Sequence, residues 1–243
     1  MYKTENVLPY GGGDKRQQVE RMFNRIAHSY DLLNHSLSLG IDRRWRRKAI
    51  EALGKYRPQE VLDIATGTGD LAIMNARCNH PRHVTGADIS EGMMEVARRK
   101  VEKAGLSDVI SFRKEDCTCM SFADGSFDAV TSSYGVRNFT DLDAGLREMH
   151  RVLRQGGHLL IVELSTPVRF PMKQLFGIYA HVVMPLLGRL ISHDDSAYTY
   201  LPASMEAFPQ AEEMERILLR NGFSSVQWKR FCGGISTMYL ATK

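Results

Sequence analysis

Past Glu60 the hydrophobic rhythm of the chain changes from helical spacing to an alternation of short apolar runs and amphipathic segments. The runs read VLDIA, HVTGADI, VISFRKED, FDAVTSS and HLLIVEL. Helical patterns begin between them at Asp70, Glu91 and Asp141. Strands joined by helix-length connections run parallel, and the connecting helices cover both faces of the sheet. Gly156-Gly157 provides a tight turn into the fifth run. A further helix is expected over residues 211–220, stopped by Asn221-Gly222. The chain then reads SSVQWKRF, CGG and ISTMYLATK, two strands about a glycine turn. An antiparallel pair thus closes an otherwise parallel sheet.

The segments outside this core are less regular. Residues 1–14 are polar, end in Gly11–Gly13 and read as a flexible tail. Residues 15–53 carry apolar side chains at helical spacing, among them Val19, Met22, Phe23 and Ile26, then Trp45, Ala49, Ile50 and Leu53. Five basic side chains surround Trp45 over residues 43–48, which suits either a solvated helix face or lipid headgroups. Residues 167–208 break the rhythm with prolines and large apolar and aromatic groups. The stretch 170–188 there is either plain core or a lid over an apolar ligand. The four cysteines lack paired spacing, which points to free thiols in a reducing cytosol and to no metal. The net charge of +4 is too mild to demand nucleic acid. No run of about 18 apolar residues exists to span a bilayer.

The first run ends in VLDIATGTGD. A turn as bare as residues 65–69 lets a ligand approach the backbone, and the helix starting at Asp70 points N–H groups toward it. The dinucleotide fingerprint is not met, because no third glycine follows at Ala72, and the P-loop lysine is absent. Asp88 ends the second run, about twenty residues past the turn, where a carboxylate can take ribose hydroxyls. Asp116 ends the third run. Acids at adjacent strand tips disfavour a pyrophosphate and suit a cationic ligand such as S-adenosylmethionine. Asp63 has either a structural role beside the turn or a ligand contact. A nicotinamide-dependent oxidoreductase and a non-enzymatic binding module are the rival readings. The missing fingerprint argues against the first and the intact acidic rim against the second.

VLDIATGTGD, GADIS, KEDC and FDAVTSSYGVRN resemble the successive motifs of class I S-adenosylmethionine-dependent methyltransferases. YDLLNHSLSLGIDRRW and RVLRQGGHLLIVELS resemble the two signatures of the ubiquinone/menaquinone biosynthesis C-methyltransferase family, and YTYLPASMEAFP is similar to its later segment. The likeness runs from about residue 15 to the end. Four positions depart from it: Leu33 stands for Met, Asp42 for His and Arg154-Gln155 for Lys-Pro. Leu33 and Arg154 conserve volume and charge. Asp42 inverts the polar character at its site and puts a chemical role there in doubt.

The resemblance implies a Rossmann-like fold with a seven-stranded, mostly parallel sheet, a C-terminal antiparallel hairpin and helices on both faces. It makes residues 15–243 one domain, with N-terminal helices over 15–53 and a substrate lid over about 167–208. It implies methyl transfer from S-adenosylmethionine to a ring carbon of a polyprenyl quinol. The acceptor would be demethylmenaquinol, the ubiquinone-pathway counterpart or another hydrophobic compound. By the same resemblance Thr68, with Gly67 and Gly69, holds the methionine end of the donor, and Ser133 lies nearby. Asp88 takes the ribose, and Asp116 with Cys117 frames the adenine, Cys117 through its backbone. Arg137 would either stabilise a quinolate oxygen or pair with Asp31 or Asp141, and Asn138 would orient the ring or a water. Tyr30 and Asn34 would cap the acceptor pocket, Glu163 would face it or pair with a base, and His193 would sit in the lid. The expected location is cytoplasmic with peripheral contact at the inner membrane face, and a homodimer is left open.

Overall fold

The computed structural model describes residues 2–180 and 195–243. Three helices come first: α1 (Lys15–Ile26), α2 (Tyr30–Leu37) and α3 (Ile41–Gly54). Then β1 (Glu60–Ile64), α4 (Asp70–Asn79), β2 (His83–Asp88), α5 (Glu91–Lys103) and β3 (Ile110–Lys114) follow. The second half has β4 (Phe127–Ser133), α6 (Leu142–Val152), β5 (Leu153–Leu164) and α7 (Met172–Ile178). Helices Asp195–Ala207 and Glu212–Arg220 precede β6 (Ser225–Phe231) and β7 (Ser236–Thr242).

The seven strands form one sheet in the order β3-β2-β1-β4-β5-β7-β6. β1 pairs in parallel with β2 and β4, while β7 runs antiparallel between β5 and β6. The expected closing hairpin is therefore present, turned by Cys232–Gly234. The strand order reverses direction between β1 and β4, and open α/β sheets bind ligands beyond the carboxyl ends of the strands at such a point. The loops after β1 and β4 are the ones that carry VLDIATGTGD and SSYGVRN.

Burial explains the hydrophobic pattern. Val61, Leu62 and Ile64 of β1 are buried on both faces of the sheet, as a central parallel strand requires. On α6, Leu142, Leu146, Met149 and Val152 recur at helical spacing and all enter the core. The basic tract of α3 divides by the same rule. Arg43, Arg44, Arg47 and Lys48 are exposed, whereas Trp45 and Arg46 turn inward.

Residues 2–14 are not a loose tail. Thr4 is 1 % exposed, and Tyr2 packs against the main core. Glu5 accepts from the N–H of Leu142 at 3.0 Å, satisfying an amide in the first turn of α6. The polar composition that suggested a tail is used for contacts with the domain. Of the 170–188 stretch, residues 181–188 lie outside the described residues, as does His193. In the part described, Phe176 and Ala180 are buried while Phe170, Leu175 and Ile178 are exposed.

Candidate active site

Two hollows meet at the switch point. The first is a cleft of about 780 Å³ at the tips of β1, β2, β3 and β4, walled among others by Gly67, Asp88, Asp116, Cys117 and Ser133. The second is a cavity of about 590 Å³ lined by Asn34, Asp42, Arg137, Phe176 and Tyr179, with Tyr30 and Tyr134 common to both. Helices α2 and α3, the loop after β4 and α7 thus bring the second cavity against the first.

Local geometry shows what the bare turn is for. The Asp88 carboxylate accepts from Gly67 N–H at 2.8 Å and from Ser90 N–H at 2.9 Å, so the second acid braces the first turn. At Gly67 a Cβ would meet nothing within 4 Å, because that direction opens into the cleft. Gly69 serves a different purpose. Its φ is +79°, and a Cβ there would lie 3.1 Å from Ala97 on α5. Its missing side chain lets α5 close on the turn.

The Thr68 side chain, next in the turn, has protein partners of its own. Its hydroxyl donates to Asp31 at 2.5 Å and lies 3.2 Å from Lys100 Nζ. Lys100 also pairs with Asp31 at 2.6 Å and Asp70 at 2.5 Å. The side chain therefore ties α2 to α4 and α5. The acid on the far side of the turn, Asp70, belongs to this ion cluster.

The acid on the near side, Asp63, is buried and structural. It accepts from Thr66 at 2.6 Å and Thr131 at 2.7 Å. Burial pushes its pKa up from 3.8 to about 6 despite those bonds. Its folded form holds a proton more tightly than the unfolded chain, so the stability it contributes is present below pH 4 and is lost as pH rises to about 6. Asp63→Asn should remove this loss. Denaturant titrations at pH 4 and pH 7 are expected to show the parent losing roughly 3 kcal/mol more than the variant, about 1.4 kcal/mol for each pH unit of the shift. Equal pH slopes would refute the assignment.

Asp116 lines the cleft, makes a local turn with Thr118 at 2.9 Å and pairs with Arg16 of α1 at 3.1 Å. The Cys117 thiol is pushed well up by burial and by the neighbouring Asp116 and Asp88 carboxylates, so it stays protonated. Ser133 faces the cleft and accepts from Arg46 Nε at 3.3 Å.

Arg137 pairs with Glu163 of β5 at 2.7 Å, both side chains being almost wholly buried. Neither Asp31 nor Asp141 is its partner. Asp31 is bound to Lys100, and Asp141 caps α6 through Ala144 N–H at 2.8 Å. Burial opposes the Arg137 charge, and the Glu163 carboxylate together with Tyr30 and Tyr200 outweighs it, so the guanidinium is held above its ordinary value. The Nε atom is buried with no hydrogen-bond partner among the described residues. Asn138 lines the first cleft and accepts from the Tyr200 hydroxyl at 3.0 Å.

Two groups here, Arg46 and Tyr200, were not legible in the sequence. Tyr134 has φ +61°, uncommon for a bulky residue, and its ring lies 4.9 Å below the Arg46 guanidinium. Arg46 pairs with Asp42 at 2.5 Å, one helical turn back. That spacing is the only signal that could have singled Arg46 out of its tract. Tyr200 comes from a distant helix and gave no local sign.

The sequence profile of the ubiE/COQ5 methyltransferase family matches residues 12–243. The demethylmenaquinone methyltransferase of Bacteroides fragilis is 58 % identical over 243 residues, spanning 100 % of this chain and 99 % of that one. Its counterpart in Porphyromonas gingivalis is 46 % identical, with 100 % of each chain covered. Among solved structures, an S-adenosylmethionine-dependent methyltransferase of Thermotoga maritima superposes with a TM-score of 0.63 at 18 % identity, over 92 % of this chain and 99 % of that one. The cyclase SpnF superposes with a TM-score of 0.66 at 18 % identity, over 94 % and 96 %. A fold shared with a cyclase says nothing about the reaction. The family match and the full-length relatives do: the chain belongs to the ubiE/COQ5 methyltransferase family.

Proposed function

We propose that the protein transfers a methyl group from S-adenosylmethionine to a ring carbon of a prenylated quinol, converting demethylmenaquinol to menaquinol. One observation carries this reading. A cleft rimmed by carboxylates adjoins a mostly apolar cavity through the shared side chains of Tyr30 and Tyr134. Arg137, whose buried Nε has no partner among the described residues, lines that apolar cavity. The names carried by the full-length relatives support a naphthoquinol acceptor.

The first cleft fits the donor. The open direction at Gly67 leaves room beside the turn, and Asp88 and Asp116 offer acceptors without a phosphate site. In this reading Asp88 receives the ribose hydroxyls, and Asp116 with the Cys117 backbone receives the adenine. Gly67 and Ser133 border the methionine end. When bound, the donor supplies an electrophilic methyl on a sulfonium. The chain supplies orientation, through Tyr30 and Tyr134 between the two reactants. Arg137 holds the negative charge that develops on the quinol oxygen. Asn138, fixed by Tyr200, orients the ring.

The test is transfer of labelled methyl to demethylmenaquinol and to the matching benzoquinol. Label in the naphthoquinol is expected. Label in the benzoquinol alone would reassign the acceptor, and donor binding without transfer to either would overturn the reading.

The same reading places the mouth of the second cavity at a bilayer. Leu39, Phe170, Leu175 and Ile178 are exposed on the elements around it. Among the described residues no helix is long and apolar enough to cross a membrane. Phe170→Ser with Leu39→Ser is expected to lower flotation with anionic vesicles at least threefold, about two buried side chains' worth of partial insertion. Unchanged flotation would remove the peripheral contact.

A further inference from the structure

We infer that the N-terminal segment is a positioning strap for the loop that carries Arg137 and Asn138, with Thr4 as its key residue. The inference rests on the reading of that loop as the part that meets the acceptor. The strap precedes residue 12, where the family match begins. Its short helical turn, Lys3–Asn6, is nonetheless fastened to the domain at several points. The Thr4 hydroxyl, fully buried, donates to the Arg137 carbonyl at 2.8 Å. The Thr4 carbonyl in turn accepts from the buried Lys15 ammonium at 2.6 Å. Glu5 holds the Leu142 amide just beyond the loop, and the Tyr2 hydroxyl reaches Asp143 at 3.0 Å.

The loop is therefore gripped from two sides. Glu163 binds the Arg137 amide at 3.1 Å and its guanidinium at 2.7 Å from the sheet. Thr4 binds the carbonyl of the same residue from the opposite end of the chain. A buried carbonyl with one fixed donor has one favoured orientation of its peptide plane, and that plane sets the direction of both Arg137 and Asn138. The loop's other restraints act on neighbouring groups: the Asn138 N–H donates to the Gly135 carbonyl at 3.0 Å, and the Tyr200 hydroxyl donates to the Asn138 side chain at 3.0 Å. Neither Thr4 nor Glu5 lines the donor cleft or the acceptor cavity. Their influence on the reaction runs through the loop alone.

The experiment compares the full-length parent with Thr4→Val, which keeps the shape and removes the donor, and Thr4→Ser, which keeps the donor. Three quantities are read: S-adenosylmethionine affinity by calorimetry, kcat at saturating substrates, and deuterium uptake by the amides of residues 136–139. Thr4→Val is expected to keep the parent's donor affinity within about twofold. Its kcat should fall about tenfold, the effect of one hydrogen bond on the alignment of a reacting pair, and the loop amides should exchange faster. Thr4→Ser should restore both. Parent-like kcat and exchange in Thr4→Val would overturn the strap. So would a loss of kcat that follows donor affinity, or one that Thr4→Ser fails to restore. If the parent methylates neither quinol, the catalytic reading falls and exchange alone decides. Faster exchange in Thr4→Val then upholds the strap, and unchanged protection removes it.

Discussion

Asp88→Ala will bind S-adenosylmethionine at least a hundredfold more weakly than the parent. The carboxylate sits at the tip of β2 and braces the amides of Gly67 and Ser90. Each of its oxygens keeps a lone pair toward the cleft, where two ribose hydroxyls can donate. A hydrogen bond to a charged group contributes about 1.5–3 kcal/mol, so losing two costs about 3–6 kcal/mol, or two to four decades in affinity. Burial holds the carboxyl above its ordinary value, with the Ser90 and Gly67 amides opposing. Its charge is therefore not what stabilises the fold at neutral pH, and the variant should stay folded. Asp88→Asn, which keeps the shape and one acceptor, should lie between the two. Calorimetric titration checks all three proteins, and a parent-like affinity for Asp88→Ala would end the assignment of this cleft to the donor.

The second large effect is expected at Arg137. Removing one partner of a buried ion pair leaves the other charge uncompensated and costs about 3–5 kcal/mol. For a chain of this size that lowers Tm by about 10 °C. Arg137→Ala should therefore both destabilise the protein and lose about a hundredfold or more in kcat, if Arg137 holds the developing charge. The two effects separate in a repacked pair. Arg137→Met combined with Glu163→Leu removes both charges together and is expected to regain most of the lost Tm while kcat stays low. If turnover returned with stability, Arg137 would be a structural residue only. Differential scanning calorimetry and the labelled-methyl assay give the two readouts on the same samples.

The rim of the donor cleft was readable because each of its acids terminates a hydrophobic run. In a parallel sheet all such ends lie on one edge, so Asp88 and Asp116 share a rim by topology. Cys117 and Ser133 follow from the same rule. The turn was readable as a turn but not by face. Gly67 opens on the cleft while its neighbours Thr68 and Gly69 contact α2 and α5. Successive residues of a turn with φ values of +56° and +79° at its glycines point in different directions, and composition carries no record of which. The basic tract of α3 shows a related limit. Four of its side chains are exposed, and only the packing of α3 on the sheet selects Arg46 for burial.

By itself the sequence determined the alternating architecture, the closing hairpin, the switch-point turn and the acid row, since these depend on local periodicity and on chain-order rules. The tertiary structure alone decided that Glu163 neutralises Arg137, that Tyr200 holds Asn138 and that Thr4 reaches the Arg137 carbonyl. These partners are 26, 62 and 133 residues apart. Burying a charge or a carbonyl creates a demand for a partner, but any nearby donor or acceptor can meet it. Which one does is a matter of how the whole chain packs.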